Sequence, residues 1–187
     1  MPADGSFPQV VSLACHDLRT PLATIYGFAR TLTRTAELDA RSARFIGMIE
    51  EASQQLTELL DLLGTAARIE SGKWEPGLRE AGTLELAASA DARIATTGDG
   101  EQIRTDAASI ARALEALATA ALRYGPVERV VWHVQGRSLA LAPVTADAAP
   151  VVIAEQLRDL GAIVARRAIE ELGGSLALDG ETLRVTL

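Results

Sequence analysis

Over residues 7 to 71, apolar side chains recur at alternating spacings of three and four, a period that restricts this stretch to long amphipathic helices. Val11, Ala14, Leu18, Pro21, Ile25, Phe28 and Leu32 form one heptad seam, its a and d positions turned toward a partner helix. Cys15, Leu22 and Ala29 widen the stripe on one side, which suits a bundle better than a two-stranded coil. "TAELDARSA" then interrupts the period, and Asp39 within it is placed to cap a second helix. There Phe45, Ile46, Ile49, Leu56, Leu59, Leu60 and Leu63 supply the apolar face, and Gly72 in "RIESGK" is the stop. Two long helices on a short turn make a hairpin that buries only one side of each. Two hairpins pairing as a four-helix bundle would complete the core, so a homodimer is expected.

After "GKWEPG" the character changes, with Pro76 and Gly77 marking a linker. Beyond it, residues 84–88 and 92–96 read as strands, 106–124 as a helix, 129–135 and 138–144 as a hairpin, 153–172 as a helix, and 175–187 as a closing hairpin around "LDGE". The expected fold is α plus α/β: a helical hairpin forming a dimeric four-helix bundle over residues 1–75, then an α/β sandwich with helices on one face of a mixed sheet over 79–187.

Charge and cysteine content narrow the function classes. A net charge of -7 over 187 residues offers no general basic surface for phosphate backbones, so nucleic acid is not an expected partner. Trp74 and Trp132 are then anchors of linker and sheet rather than base-stacking platforms. The lone Cys15 forms no internal disulfide, and no Cys/His spacing suggests zinc, which favours a reducing compartment. No apolar run approaches the roughly 20 residues that span a bilayer, and "MPADGSFPQ" is unlike a signal peptide. A cytoplasmic protein without direct membrane insertion is the expectation.

Chemistry concentrates in "SLACHDLRTPLATIYGF". With Val11 at position a, His16 falls at f, facing away from the seam, and shares a helix face with Thr20. An exposed imidazole is a nucleophile near neutral pH, and the adjacent Asp17 could fix its tautomer by accepting the proton of one ring nitrogen. Side chains at i and i+1 do not naturally face each other, so the pair has to reach around the helix. Pro21 lacks an amide proton and frees the carbonyl of Asp17, loosening the helix beside His16. His133 in "VVWHVQ" alternates within a strand and reads as a packed or rim residue, not a ligand.

The order of residues in "HDLRTPL" resembles the phosphoacceptor box of sensor histidine kinases, and "ARIESGK" resembles the end of their dimerisation domain. The resemblance implies that His16 carries a phosphoryl group, that Asp17 orients and deprotonates it, and that Thr20 positions water when such domains act as phosphatases. Arg19 would contact phosphate or partner, and Ala23, Tyr26 and Gly27 would meet a docked receiver domain. Pro21 is architectural in this reading.

The second half resembles the kinase-type ATPase domain of the same family in its segment order and in "ELGGSLAL". Its nucleotide residues depart from the pattern. Ala116 and Ala120 stand where the asparagine helix supplies its asparagines, and a methyl group cannot ligate magnesium. Arg123 matches the family's basic position. If Asp147 is the adenine-turn aspartate, Ala149 and Val151 replace the glycines. Near the last glycine turn only Gly161 remains, and Asp159 would repel a triphosphate. The connection from residue 144 to 153 is also too short for a nucleotide lid. The chain is thus expected to bind no cofactor or metal itself.

These features are similar to those of dimeric histidine phosphotransferases. A receiver's aspartyl phosphate, or an upstream histidine kinase, would load His16, which passes the group to or from a response-regulator aspartate, with magnesium held by the receiver. A sensor kinase with a divergent ATP site and a non-catalytic scaffold for receivers or kinases are the alternatives.

Overall fold

The computed structural model describes residues 6–35 and 38–187. Ala36 and Glu37 of the interrupting segment, and residues 1–5, lie outside the described residues. The chain divides into two compact units, Met1–Trp74 and Glu75–Leu187.

The first unit is a hairpin of α1 (Ser6–Thr35) and α2 (Ala40–Glu70). Asp39 caps α2: its carboxylate accepts from the amides of Arg41 at 2.9 Å and Ser42 at 3.0 Å and from the Ser42 hydroxyl at 2.7 Å. At the other end the Lys73 amide donates to the Arg68 carbonyl, and Gly72 takes the left-handed φ of 63° that closes such an end. The contact between α1 and α2 runs along the narrower stripe. Cys15, Leu22 and Ala29, each seven residues apart, are buried, as are Ser53, Gly64 and Ala67 on α2. These residues are mostly small, which lets the backbones approach. The register is antiparallel, with Cys15 beside Gly64, Arg19 on Asp61 and the Thr33 hydroxyl on Glu50.

The wider heptad seam is not what joins the two helices. Leu18, Ile25 and Leu32 remain about half exposed, Phe28 is 67 % exposed, and Phe45, Ile49, Leu56 and Leu59 on α2 are similarly open. A single hairpin therefore leaves an apolar face on each helix.

The second unit builds a five-stranded sheet in the order β2-β4-β5-β7-β6, from β2 (Ile94–Gly100), β4 (Val130–Gly136), β5 (Ser138–Ala142), β6 (Ser175–Asp179) and β7 (Thr182–Thr186). β2 runs parallel to β4 and the other pairs are antiparallel, so the sheet is mixed. A separate two-stranded ribbon pairs β1 (Arg79–Gly82) with β3 (Gln102–Thr105). Helices α4 (Ala107–Tyr124) and α6 (Leu160–Glu171) pack on each other over one face. Alternation on the strands matches that layering: Val130, Trp132, Val134, Leu139, Leu141, Leu183 and Val185 are buried, whereas His133, Gln135 and Arg184 are exposed. Asp106 caps α4 through the Ser109 amide at 3.0 Å and also accepts from the Gly77 amide at 2.9 Å. Burial pushes its carboxyl up, but those amides, aided by the Ser109 hydroxyl and nearby Arg112, hold it below the usual aspartate value.

Several expectations change here. Residues 84–88 are not a strand: α3 (Thr83–Leu86) occupies that place, because Thr83, Leu86 and Ala87 are buried at helical spacing while Leu84 is open. β1 and β3, short and largely polar, carry no apolar alternation and were not expected. β2 continues past residue 96 through two glycines; a Cβ at Gly98, where φ is 107°, would collide with the Val134 carbonyl. The helix expected over 153–172 is two elements, α5 (Ala149–Val152) and α6, separated by Ala154 at φ 56° and restarted by the Asp159 cap. The segment between β5 and α6 is accordingly longer than the 144–153 connection suggested. It is folded down, with α5 packed on α4 and α6 and Ala148, Val151 and Val152 fully buried.

Candidate functional site

On α1 the heptad phase turns His16 outward, and its side chain is 77 % exposed. Nδ1 lies 3.1 Å from Oδ1 of Asp17. A carboxylate only accepts, so Nδ1 must carry the proton and donate it, which leaves the Nε2 lone pair directed at solvent. Both side chains are exposed and free to swing, which is how neighbours one residue apart meet despite their opposed Cβ directions.

His16, Arg19, Thr20, Ala23 and Thr24 line a shallow, open concavity of about 510 Å³ on the hairpin. Four of these were anticipated. Thr24 was not; its hydroxyl donates to the Thr20 carbonyl at 3.1 Å. Thr20 thus sits on the histidine face, while Pro21 withholds an amide from the Asp17 carbonyl one turn back. Tyr26 and Gly27 fall outside the concavity. Tyr26 is half-buried, with the Arg30 guanidinium 5.9 Å from its ring centre, and Gly27 is exposed with nothing near its Cβ position.

Arg19 is the one lining residue tied to the second helix. Its Nη2 donates to Oδ1 of Asp61 on α2 at 2.7 Å. Asp61 carries no motif signal; only the register of the hairpin, once Cys15 is set beside Gly64, would have brought it opposite Arg19.

In the second unit the departures from the nucleotide pattern acquire a geometry. Ala120 is fully buried in the core, and the Cβ of Ala116 lies 3.3 Å from where a Cβ on Gly161 would be. Ala116 and Ala120, at the places where the family pattern has asparagine, are therefore packing surface, and α4 approaches α6 closely at Gly161. Asp159 is nearly buried, its side chain 7 % exposed. One oxygen caps α6 through the Ala162 amide at 3.0 Å, and the other accepts from Nη1 of Arg123 at 2.9 Å. The amide and guanidinium that could meet an anion are thus engaged by a carboxylate of the chain itself. Val151, at the second glycine position of the proposed adenine turn, is inside α5 and fully buried, while Asp147 is exposed. The positions that depart from the nucleotide pattern thus hold buried methyl groups and a carboxylate already engaged by Arg123 and the Ala162 amide.

Elsewhere, His133 is exposed in the middle of β4, a strand paired on both sides, with Nδ1 2.9 Å from the Thr97 hydroxyl, neither packed nor at the rim. Trp132 is fully buried in the sheet core. Among the described residues no cluster of His, Cys, Asp and Glu is gathered for a metal ion, and no helix is long and apolar enough to cross a membrane.

Comparison with known proteins locates both units. Residues 9–72 match the family of the His Kinase A (phospho-acceptor) domain. No curated protein matches the chain. Among solved structures, full-length ShkA in complex with AMPPNP is similar at a TM-score of 0.68 and 21 % identity, over 95 % of this chain and 44 % of that one. The chain therefore spans less than half the length of that relative. The Acinetobacter baumannii histidine kinase AdeS is similar at a TM-score of 0.54 and 18 % identity, over 91 % of this chain and 95 % of that one. The hairpin is thus similar to the phospho-acceptor domain of histidine kinases, and the two-unit fold is shared with those two structures.

Proposed function

We propose that the chain is a histidine phosphotransferase of a two-component phosphorelay, dimeric through its hairpin and independent of ATP. The observation that carries this reading is the contrast between the outward Nε2 of His16 beside Asp17 and the Asp159 carboxylate that engages both the Ala162 amide and Arg123. In the forward step Nε2 attacks the phosphorus of a receiver's aspartyl phosphate. The Nε2–P bond forms, the P–O bond breaks to regenerate the receiver's carboxylate, and the Nδ1 proton passes to Asp17 or solvent. The reverse step loads another receiver. Magnesium belongs to the receiver, where it shields the transferring charge. Arg19 faces the phosphoryl group, Thr20 holds a water for its hydrolysis, and Ala23, Tyr26 and Gly27 offer the receiver apolar and small contacts along α1. The open apolar faces of α1 and α2 are what a second copy would cover.

The test is incubation with a receiver domain phosphorylated by acetyl phosphate, followed by detection of acid-labile phosphate on wild type and on His16→Ala. Label confined to wild type supports the reading; label on both places the acceptor elsewhere. A kinase with a divergent site shares the whole-chain fold, and nucleotide titration by calorimetry separates it, since tight binding of magnesium ATP would transfer the assignment to it. In the scaffold alternative, His16→Ala would leave signalling in cells intact.

A further inference from the structure

We propose that Asp61 is a positioning residue that holds Arg19 at the rim of the histidine concavity and competes with the phosphoryl group for its guanidinium. The inference rests on His16 as phosphoacceptor. It starts from the 2.7 Å pair between Arg19 Nη2 and Asp61 Oδ1, which joins the face bearing the histidine to the opposite helix. Arg19 lines the concavity and Asp61 does not, so the carboxylate pulls the guanidinium from behind.

The surroundings favour exchange over a permanent bond. Gly64, one turn from Asp61, leaves a space bordered by both Arg68 Nη1, 3.6 Å from its Cβ position, and Arg19 Nη2, at 4.0 Å. The Arg68 guanidinium donates to the Thr65 hydroxyl at 2.9 Å. Two guanidinium groups thus border the same space, and one of them is the group paired with Asp61. Both members of the Arg19–Asp61 pair are also about half exposed, 42 % and 50 %, so water substitutes for either partner at little cost. A phosphoryl group on His16 carries up to two negative charges and three acceptor oxygens, a stronger match for a guanidinium than one half-solvated carboxylate. Arg19, three residues along the same helix, is in reach of it. Loading His16 would then draw Arg19 off Asp61, and the strength of the Asp61 bond sets how firmly the phosphoryl group is held.

The experiment phosphorylates the full chain with potassium phosphoramidate and follows the decay of phosphohistidine by ³¹P NMR. Removing the competitor in Asp61→Asn should lengthen the half-life about two- to fivefold, the range an exposed ion pair controls. Arg19→Gln should shorten it. In the Arg19→Gln background Asp61→Asn should change nothing, because its effect passes through the guanidinium. Asp61→Glu, which restores the carboxylate, should return the wild-type half-life, an outcome that a merely structural role would not produce. An unchanged half-life in Asp61→Asn, or an equal effect in both backgrounds, overturns the proposal and leaves the phosphoacceptor reading standing. A wild-type chain whose His16 takes no label overturns both.

Discussion

The two units solve the problem of burial in opposite ways. In the α/β unit each strand turns its apolar residues under α4 and α6, and Trp132, Leu139, Leu141 and Leu183 are fully buried within one chain. In the hairpin only a thin file of small residues is covered, and Phe28 and Ile25 stay open to solvent. The difference bears on function. The unit that shares its fold with histidine kinases buries its core within one chain, whereas the unit that carries His16 leaves an apolar face open on each helix.

The sharpest way to break this comparison is to charge the open faces. Ile25→Glu together with Leu56→Glu should abolish self-association, because each apolar side chain buried in an interface contributes about 1.5–3 kcal/mol and each substitution counts twice in a symmetric dimer. Sedimentation velocity reads the result directly. A wild-type chain that sediments as a monomer at micromolar concentration would show that the open faces serve something other than a second copy. Heat unfolding of the α/β unit should be unaffected by these changes.

The converse substitution acts on the α/β unit. Trp132→Ala removes the largest fully buried side chain of the core, a loss of about 3–5 kcal/mol for a large aromatic. If the units are independent in stability, circular dichroism will show the α/β transition at a lower temperature while His16 is still phosphorylated by phosphoramidate. Loss of labelling with the α/β unit unfolded would mean that the hairpin depends on it.

How far the sequence carried these conclusions follows from the range of each signal. The hairpin was legible because its period runs for dozens of residues, and Asp39 and Gly72 mark its turn and its end with local chemistry. α4 and the strands with clean alternation were legible for the same reason. Residues 84–88 misled because alternate apolar letters in a short run also fit one helical turn, and only burial separates the two. At the candidate site the line "HDLRTPL" brought together His16, Asp17, Arg19 and Thr20. The two ion pairs that give the sites their character join Arg19 to Asp61 and Arg123 to Asp159 across long stretches of chain. No local pattern encodes such pairs; they appear when the register between two helices is known. Asp159 illustrates the cost of that blindness. As a sequence letter it is a charge that repels phosphate; in the structure it is the partner of Arg123, the residue at the family's basic position.

A smaller effect tests whether that carboxylate masks a nucleotide site. Asp159→Ala removes a helix cap, a change of about 1 kcal/mol, together with a pair whose arginine is largely solvated and contributes less. The α/β unit should therefore melt a few degrees lower, and Arg123→Ala should lower it by less than that. Neither variant gains a magnesium ligand, so neither should bind nucleotide in calorimetry. Appearance of magnesium ATP binding in Asp159→Ala would show that one side chain had been masking an otherwise competent site.

Acid should distinguish the units most subtly. The amide and hydroxyl of Ser42 hold the Asp39 carboxyl below its ordinary value, and the Asp106 carboxyl is held down in spite of its partial burial. A carboxyl whose folded value is depressed binds its proton more readily when unfolded. Its stabilising contribution is whole above the unfolded value of about 3.9 and drains away as pH falls through the lower folded value. Both caps should therefore weaken below about pH 4, and the direction is the same in each unit. The partners differ: among the described residues Asp39 accepts from Arg41 and Ser42 of the helix it caps, whereas Asp106 also ties in Gly77 from the segment before β1. Asn at either position keeps an acceptor but cannot titrate. Asp39→Asn should flatten the acid dependence of hairpin helicity and Asp106→Asn that of the α/β melt, each without altering the other unit. An acid dependence that either variant changes in both units would mean that the hairpin and the α/β unit unfold together.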